Sequence, residues 1–169
     1  MLNKLEEQLQ KILDTCAIHH KRLEIAYQNI EHLFPIDQNI YYALTDTEMA
    51  YVDQYIFRFS KYQDSIGGKL LKQILTLEGE YSDSMSFKDI FNKAEKLGFA
   101  EDWDRWFEVR QIRNDIAHDY PVISTEAVQS LNAIIENYSF LVDAHTRCIS
   151  FLSKKATVTA GTVKVGSEK

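Results

Sequence analysis

This chain has few residues that break helices. Among 169 residues there are only 2 prolines and 6 glycines, too few turn formers for a fold of many short strands, and a composition that suits long helices joined by few turns. Cysteine is scarce as well. Cys16 and Cys148 are the only two, far apart and without metal-ligand spacing. That excludes a disulfide framework and a zinc module and leaves two reduced, packed thiols. No apolar run is long enough to span a bilayer, so no membrane association is expected. The opening Met-Leu-Asn-Lys-Leu-Glu-Glu has no apolar core of a signal peptide, and the expected location is cytoplasmic. An excess of positive charge is also missing. The formal net charge is −6, whereas a general nucleic-acid binder is usually basic, so any RNA contact must be local. The same balance weakly favours a basic partner protein.

What is present is helical pattern. Hydrophobic residues make up 45% and charged residues 26%, the profile of one soluble globular domain with a sizeable core. From Leu2 through Leu5, Leu9, Ile12, Cys16, His19, Leu23, Ala26 and Ile30 to Leu33, residues recur three and four apart, a heptad seam over roughly residues 3–33. His19 is its one polar member and is read as a satisfied core residue. Phe34-Pro35 ends that helix. A second helix is expected from the capping box Thr45…Glu48 to about residue 77. Its apolar stripe is Val52, Ile56, Phe59, Ile66 and Leu70, interrupted by Gln63. Gln54, Arg58, Lys61 and Ser65 share another face. The preferred reading of that face is solvated surface, and the sharper one is that Arg58 or Lys61 holds a phosphate chain. Gly67-Gly68 marks a kink or a close helix contact.

Residues 78–85 read as a polar loop, followed by a short helix at about 86–97 with Ser86 as cap and Gly98 as stop. The next helix, about 102–118, opens on Glu101, Asp102 and Asp104, which suit the positive end of its dipole, and carries Trp103, Trp106 and Phe107. One further helix is expected over about 124–153, and a mobile tail from Lys154 onward. The domain is thus assigned to residues 1–153 and the tail to 154–169. The fold class is all-α, an up-and-down bundle of four to five helices.

The chemistry concentrates in Arg113-Asn114-Asp115-Ile116-Ala117-His118-Asp119-Tyr120, with Pro121 next. Arginine is a permanent cation whose fork fits phosphate. Histidine can take and give a proton near neutral pH. Together they suffice to cut a phosphodiester without a metal: the ribose 2′-hydroxyl attacks its neighbouring phosphate, His118 moves a proton, Arg113 stabilises the transition-state charge, and Asn114 orients the imidazole or binds a phosphate oxygen. On an ideal helix, residues five apart diverge by about 140°, so one rigid helix does not aim Arg113 and His118 at one atom. Either the helix loosens before Pro121, or two copies meet across a two-fold axis. Residue by residue, plainer readings exist. Arg113 could pair with Asp115 or Glu108, His118 could be a helix-terminal histidine, and Tyr120 a packed turn residue. Against them, Arg105, Arg110 and Arg113 are three of only six arginines and crowd one helix, with Arg110 a further candidate for the RNA phosphates.

Read as Trp-x3-Arg-x2-Arg-Asn-x3-His-x-Tyr-Pro over residues 106–121, this stretch resembles the Arg-x4-6-His motif of the HEPN ribonucleases, in its HepT-type form Arg-x4-His-x-Tyr. Residues 51–64 (Tyr-Val-Asp-Gln-Tyr-Ile-Phe-Arg-Phe-Ser-Lys-Tyr-Gln-Asp) look like the first part of such a domain, so about residues 45–150 carry the likeness. The resemblance implies a two-fold homodimer whose cleft cuts RNA without a metal or other cofactor. It also implies a toxin–antitoxin pair in which a minimal nucleotidyltransferase partner adds AMP to the motif tyrosine, here Tyr120. The long first helix is less typical of the shortest members. A second reading is a non-catalytic helical subunit that binds substrate for, or docks onto, a nucleotidyltransferase. The acidic charge and the abundance of tyrosine fit that reading better. A third is a purely structural bundle assembled through the heptad seam.

Overall fold

The computed structural model describes the backbone of residues 2–119 and 124–165 and the side chains of residues 3–116 and 124–156. Within them the fold is all-α, with no strand. Helix α1 spans Leu2–Ile30 and closes in a 3-10 turn, Glu31–Leu33. Its seam is realised from the middle onward: Cys16, Leu23, Ala26 and Ile30 are buried, while Leu9, Ile12 and Leu13 are half-buried against the same core. His19 lies half-buried in that seam. No described helix is long and apolar enough to cross a membrane.

α1 lies along α3 (Asp46–Asp64), which starts at the expected capping box. The Glu48 amide donates to Thr45 Oγ1 at 3.2 Å, and the Thr45 amide donates to Glu48 Oε2 at 2.8 Å. Between α1 and α3 the chain inserts α2 (Gln38–Ala43), which the apolar pattern does not predict; Asp37 caps it through the Ile40 amide at 2.8 Å. Just before α2, Asn132 holds Ile36 by both backbone groups, each at 2.9 Å. The α3 stripe is broader than expected. Tyr55 and Tyr62 are buried beside Val52 and Phe59, and so is Gln63, the polar interruption.

α3 runs into a π-helical segment, Ser65–Leu70, and then α4 (Leu71–Leu77). Gly67 sits in the π segment because a neighbour crowds it. A Cβ there would stand 2.8 Å from Trp106 Cζ2 and 3.2 Å from Phe87 Cζ, so the glycine makes the close helix contact read from the sequence. α5 (Phe87–Leu97) has the expected ends: a Ser86–Asp89 capping box and Gly98 in the left-handed region at φ +89. The Gly98 amide donates to Glu95 O and the Phe99 amide to Ala94 O, both at 3.0 Å, a Schellman closure that seats Phe99 in the core.

α6 (Trp103–Asp119) follows, with Asp102 at φ +63 and its side chain accepting from the Arg105 amide at 3.1 Å. The single helix expected over 124–153 is two. α7 (Thr125–Glu136) is capped by Ser124 and ends at Asn137, whose side chain donates back to Ala133 O at 2.8 Å. α8 (Tyr138–Val165) then continues past residue 153, where the sequence pattern ends the helix. Thr, Val and Gly are poor helix formers, and that is what suggested the earlier end; propensity is a weak prior once a helix is under way.

Candidate active site

α6 is placed by one inward stripe. Trp106, Val109, Arg113 and Ile116 are three, four and three apart, and all four are buried. Arg113 therefore occupies a core position and is only 7% exposed. Its guanidinium crosses to α3, where Nη2 donates to Asp64 Oδ1 at 2.6 Å and Nη1 donates to Ser60 O at 3.4 Å. The expected alternatives, Asp115 and Glu108, are not its partners; the acid comes from 49 residues upstream. Asp64 keeps 52% of its side chain exposed, so the pair has one foot in the core and one in solvent. One donor of Arg113, Nε, is buried with no hydrogen-bond partner.

Beside the pair lies a cavity of about 150 Å³. Gln63, Asp64 and Gly67 line it from the α3 side, Phe87 from α5, and Trp106, Arg110 and Arg113 from α6. Arg110 is half-buried, its guanidinium carbon 5.4 Å from the Phe87 ring centre, within cation–π range. Gln63 donates through Nε2 to Trp106 O at 3.2 Å, while its Oε1 is buried without a partner. Sequence reasoning missed Asp64, Phe87 and Gly67 as members of this site, and noticed Gln63 only as a break in the stripe. A buried polar residue in an apolar stripe was the available signal.

The remaining predicted residues separate. Asn114 is half-buried. Position 118 falls on the helical face of Phe107, Gln111 and Asn114 (four, three and four apart), away from the inward stripe. The backbone is α-helical through Asp119, so no loosening precedes that point and α6 by itself does not turn positions 113 and 118 toward each other. The side chain of His118, and Tyr120 altogether, lie outside the described residues.

Arg58 and Lys61 do not line the cavity. Arg58 donates through Nη1 to His19 Nδ1 at 3.1 Å. Arginine can only donate, so that nitrogen of His19 is the unprotonated acceptor. Burial, then the charges of Arg58, Lys61 and Lys69, hold the His19 pKa below its ordinary value. Gln54 on the same face bonds Arg22 O at 3.1 Å, and Ser65 is buried. The face read as solvated is thus partly an α1 contact. Lys61 is exposed, 5.7 Å from the Phe57 ring centre.

A second polar cluster links α1, α3 and α8. Tyr62 Oη lies 2.6 Å from His145 Nδ1, and His20 stacks on the Tyr62 ring at 5.6 Å. Burial raises the Tyr62 pKa, so the phenol keeps its proton and donates. Burial, then the charge of His20, pushes His145 down to about 4, so its ring is neutral and accepts. The thiols of Cys16 and Cys148 are buried and pushed up to about 12, chiefly by burial, which leaves them unreactive packing groups. Among the described residues no group of three or more His, Cys, Asp or Glu is arranged to hold a metal ion.

Compared with family models, with curated proteins and with solved structures, the chain finds no match.

Proposed function

We propose that this protein is a metal-independent endoribonuclease of the HepT-like HEPN kind, active as a two-fold homodimer, the toxin of a pair whose nucleotidyltransferase partner neutralises it. The observation that carries this reading is the convergence of Arg110 and Arg113 on one cavity, on the helix that also bears position 118. An acidic protein needs such a local cationic point to meet RNA, and arginine is the residue that matches phosphate. Arg113 supplies charge to the phosphate by exchanging its half-exposed partner Asp64 for a phosphate oxygen, and His118 moves the proton. Because one straight helix turns positions 113 and 118 about 140° apart, the copy across the two-fold axis brings the second histidine. The RNA lies across both copies.

One observation favours the non-catalytic reading, in which the bundle serves as a docking or substrate-binding subunit of a nucleotidyltransferase. The charge of Arg113 is already met by Asp64, and a guanidinium so engaged is first of all a structural clamp. The two readings part on one assay. Purified protein is incubated with single-stranded RNA and with the DNA of the same sequence, with and without EDTA. The expected result is cleavage of RNA alone, insensitive to EDTA and lost in His118→Ala. Intact RNA in all lanes, or full activity in His118→Ala, rejects the nuclease and leaves the docking subunit.

A further inference from the structure

We propose that the cavity between α3, α5 and α6 is a pyrimidine-nucleotide pocket; the choice of RNA as the source of that nucleotide rests on the ribonuclease reading above. Two buried polar atoms point to a ligand. Gln63 is 2% exposed and Arg113 7% exposed, both line this cavity, and each keeps an atom without a partner: the Gln63 Oε1 acceptor and the Arg113 Nε donor. Buried polar groups are nearly always paired, and leaving one unpaired costs about 1–3 kcal/mol. The Gln63 amide is not simply turned the wrong way, because its Nε2 is fixed by the Trp106 carbonyl at 3.2 Å. An occupant that donates to the one and accepts from the other, reaching them by a small shift of the Gln63 and Arg113 side chains, would pair both. Cytosine does so with its amino group and N3, uracil with N3–H and a carbonyl; adenine and guanine carry edges of the same kind, so the choice of a pyrimidine rests on size.

Size and walls agree with that edge. A cavity of about 150 Å³ is the volume that takes up a single six-membered ring. Trp106 and Phe87 supply aromatic surface, on which bases stack with little regard to sequence. The π segment brings the backbone at Gly67 so near these two rings that a Cβ would meet Trp106 at 2.8 Å. Such bulges recur at functional sites. Arg110, half-buried against Phe87, lines the cavity beside Arg113 and takes the phosphate of a bound mononucleotide, while Arg113 serves the scissile phosphate of RNA.

The test uses the full chain and its own tryptophan, as Trp106 lines the cavity. CMP, UMP, AMP, GMP and inorganic phosphate are titrated separately while indole fluorescence and the indole N–H resonances are followed. CMP and UMP should perturb Trp106, and the purine nucleotides and phosphate should not. Gln63→Leu keeps volume and removes the orphan acceptor, so it should retain helix content and thermal stability yet weaken CMP binding by about ten-fold, one lost hydrogen bond. Arg110→Ala should weaken CMP but leave cytidine unchanged. Equal response to purines, a full response to phosphate alone, no response to any nucleotide, or unchanged affinity in Gln63→Leu overturns the pocket. The wild-type titrations decide even if a variant fails to fold. RNA cleaved by a protein that ignores CMP and UMP rejects the pocket and spares the nuclease. Selective CMP binding by a protein that cuts no RNA rejects the nuclease and upholds the pocket, with a free pyrimidine nucleotide as its ligand.

Discussion

Arg113 and Asp64 join α6 to α3 through one 2.6 Å bond between a buried guanidinium and a half-exposed carboxylate. The asymmetry sets what each substitution does. Asp64→Ala strands a buried charge with a single long bond to Ser60 O, and should cost about 1–3 kcal/mol, below the full penalty for a buried pair because water reaches the site. Arg113→Met in the same background fills the stripe with an apolar side chain and should recover most of that loss. Urea unfolding of the two singles and the double variant measures the coupling. Additive losses would mean that the bond contributes nothing. A practical consequence concerns catalysis: Arg113→Ala opens the core at this position, so Arg113→Lys is the cleaner probe of the phosphate role.

The difference between what was legible in the sequence and what was not follows range. Thr45 with Glu48, Ser86 with Gly98, and the seam of α1 are local signals, because each partner lies within a turn or two of the other. The Arg113–Asp64 bond spans 49 residues and the Tyr62–His145 bond 83, and no local pattern encodes either. α2 is six residues long, too short to show a period. The break at Asn137 carries no Pro or Gly. The burial of Arg113 was readable in principle, since Trp106, Val109, Arg113 and Ile116 keep core spacing. A buried polar residue at core spacing, Arg113 in α6 or Gln63 in the α3 stripe, is the signal by which the candidate site could be found.

His145 makes stability depend on pH. Its folded pKa is about 4, below the value of about 6.5 for a free histidine, so between these limits the unfolded chain binds the extra proton. Stability is therefore fully present above about pH 6.5 and falls as pH drops toward 4. After discounting for solvent near the ring, the loss is about 1–2 kcal/mol. The rings packed around His145 are those of Tyr62 and His20. Denaturation midpoints of wild type and His145→Gln between these limits check it: the slope should flatten in the variant and persist in His20→Gln.

Assembly is tested at Phe107. It is 45% exposed and shares the outward face of α6 with Gln111, Asn114 and position 118, the face that must meet its copy if the site is composite. Phe107→Glu should convert a micromolar dimer to monomer in sedimentation and abolish RNA cleavage, with unchanged helix content. A monomeric Phe107→Glu protein that still cuts RNA would reject the composite cleft.

Control is tested at Tyr120. Tyr120 lies two positions beyond His118 in the sequence, and the pairing proposed above makes it the residue to test. In the proposed modification the Tyr120 oxygen attacks the α-phosphorus of ATP, a phosphorus–oxygen bond forms, the phenolic proton is lost and pyrophosphate leaves. The product carries a phosphodiester anion and an adenosine close in sequence to Arg113 and Arg110. That anion competes for the arginines RNA needs and repels the incoming backbone, so one modification both blocks access and removes the electrostatic aid to catalysis. Incubation with the partner nucleotidyltransferase, ATP and magnesium, followed by intact-mass and peptide analysis, should place one or more AMP units on Tyr120 and end cleavage. Tyr120→Phe should stay unmodified and active. If the partner silences Tyr120→Phe as completely as wild type, control works by binding alone and the covalent route is rejected.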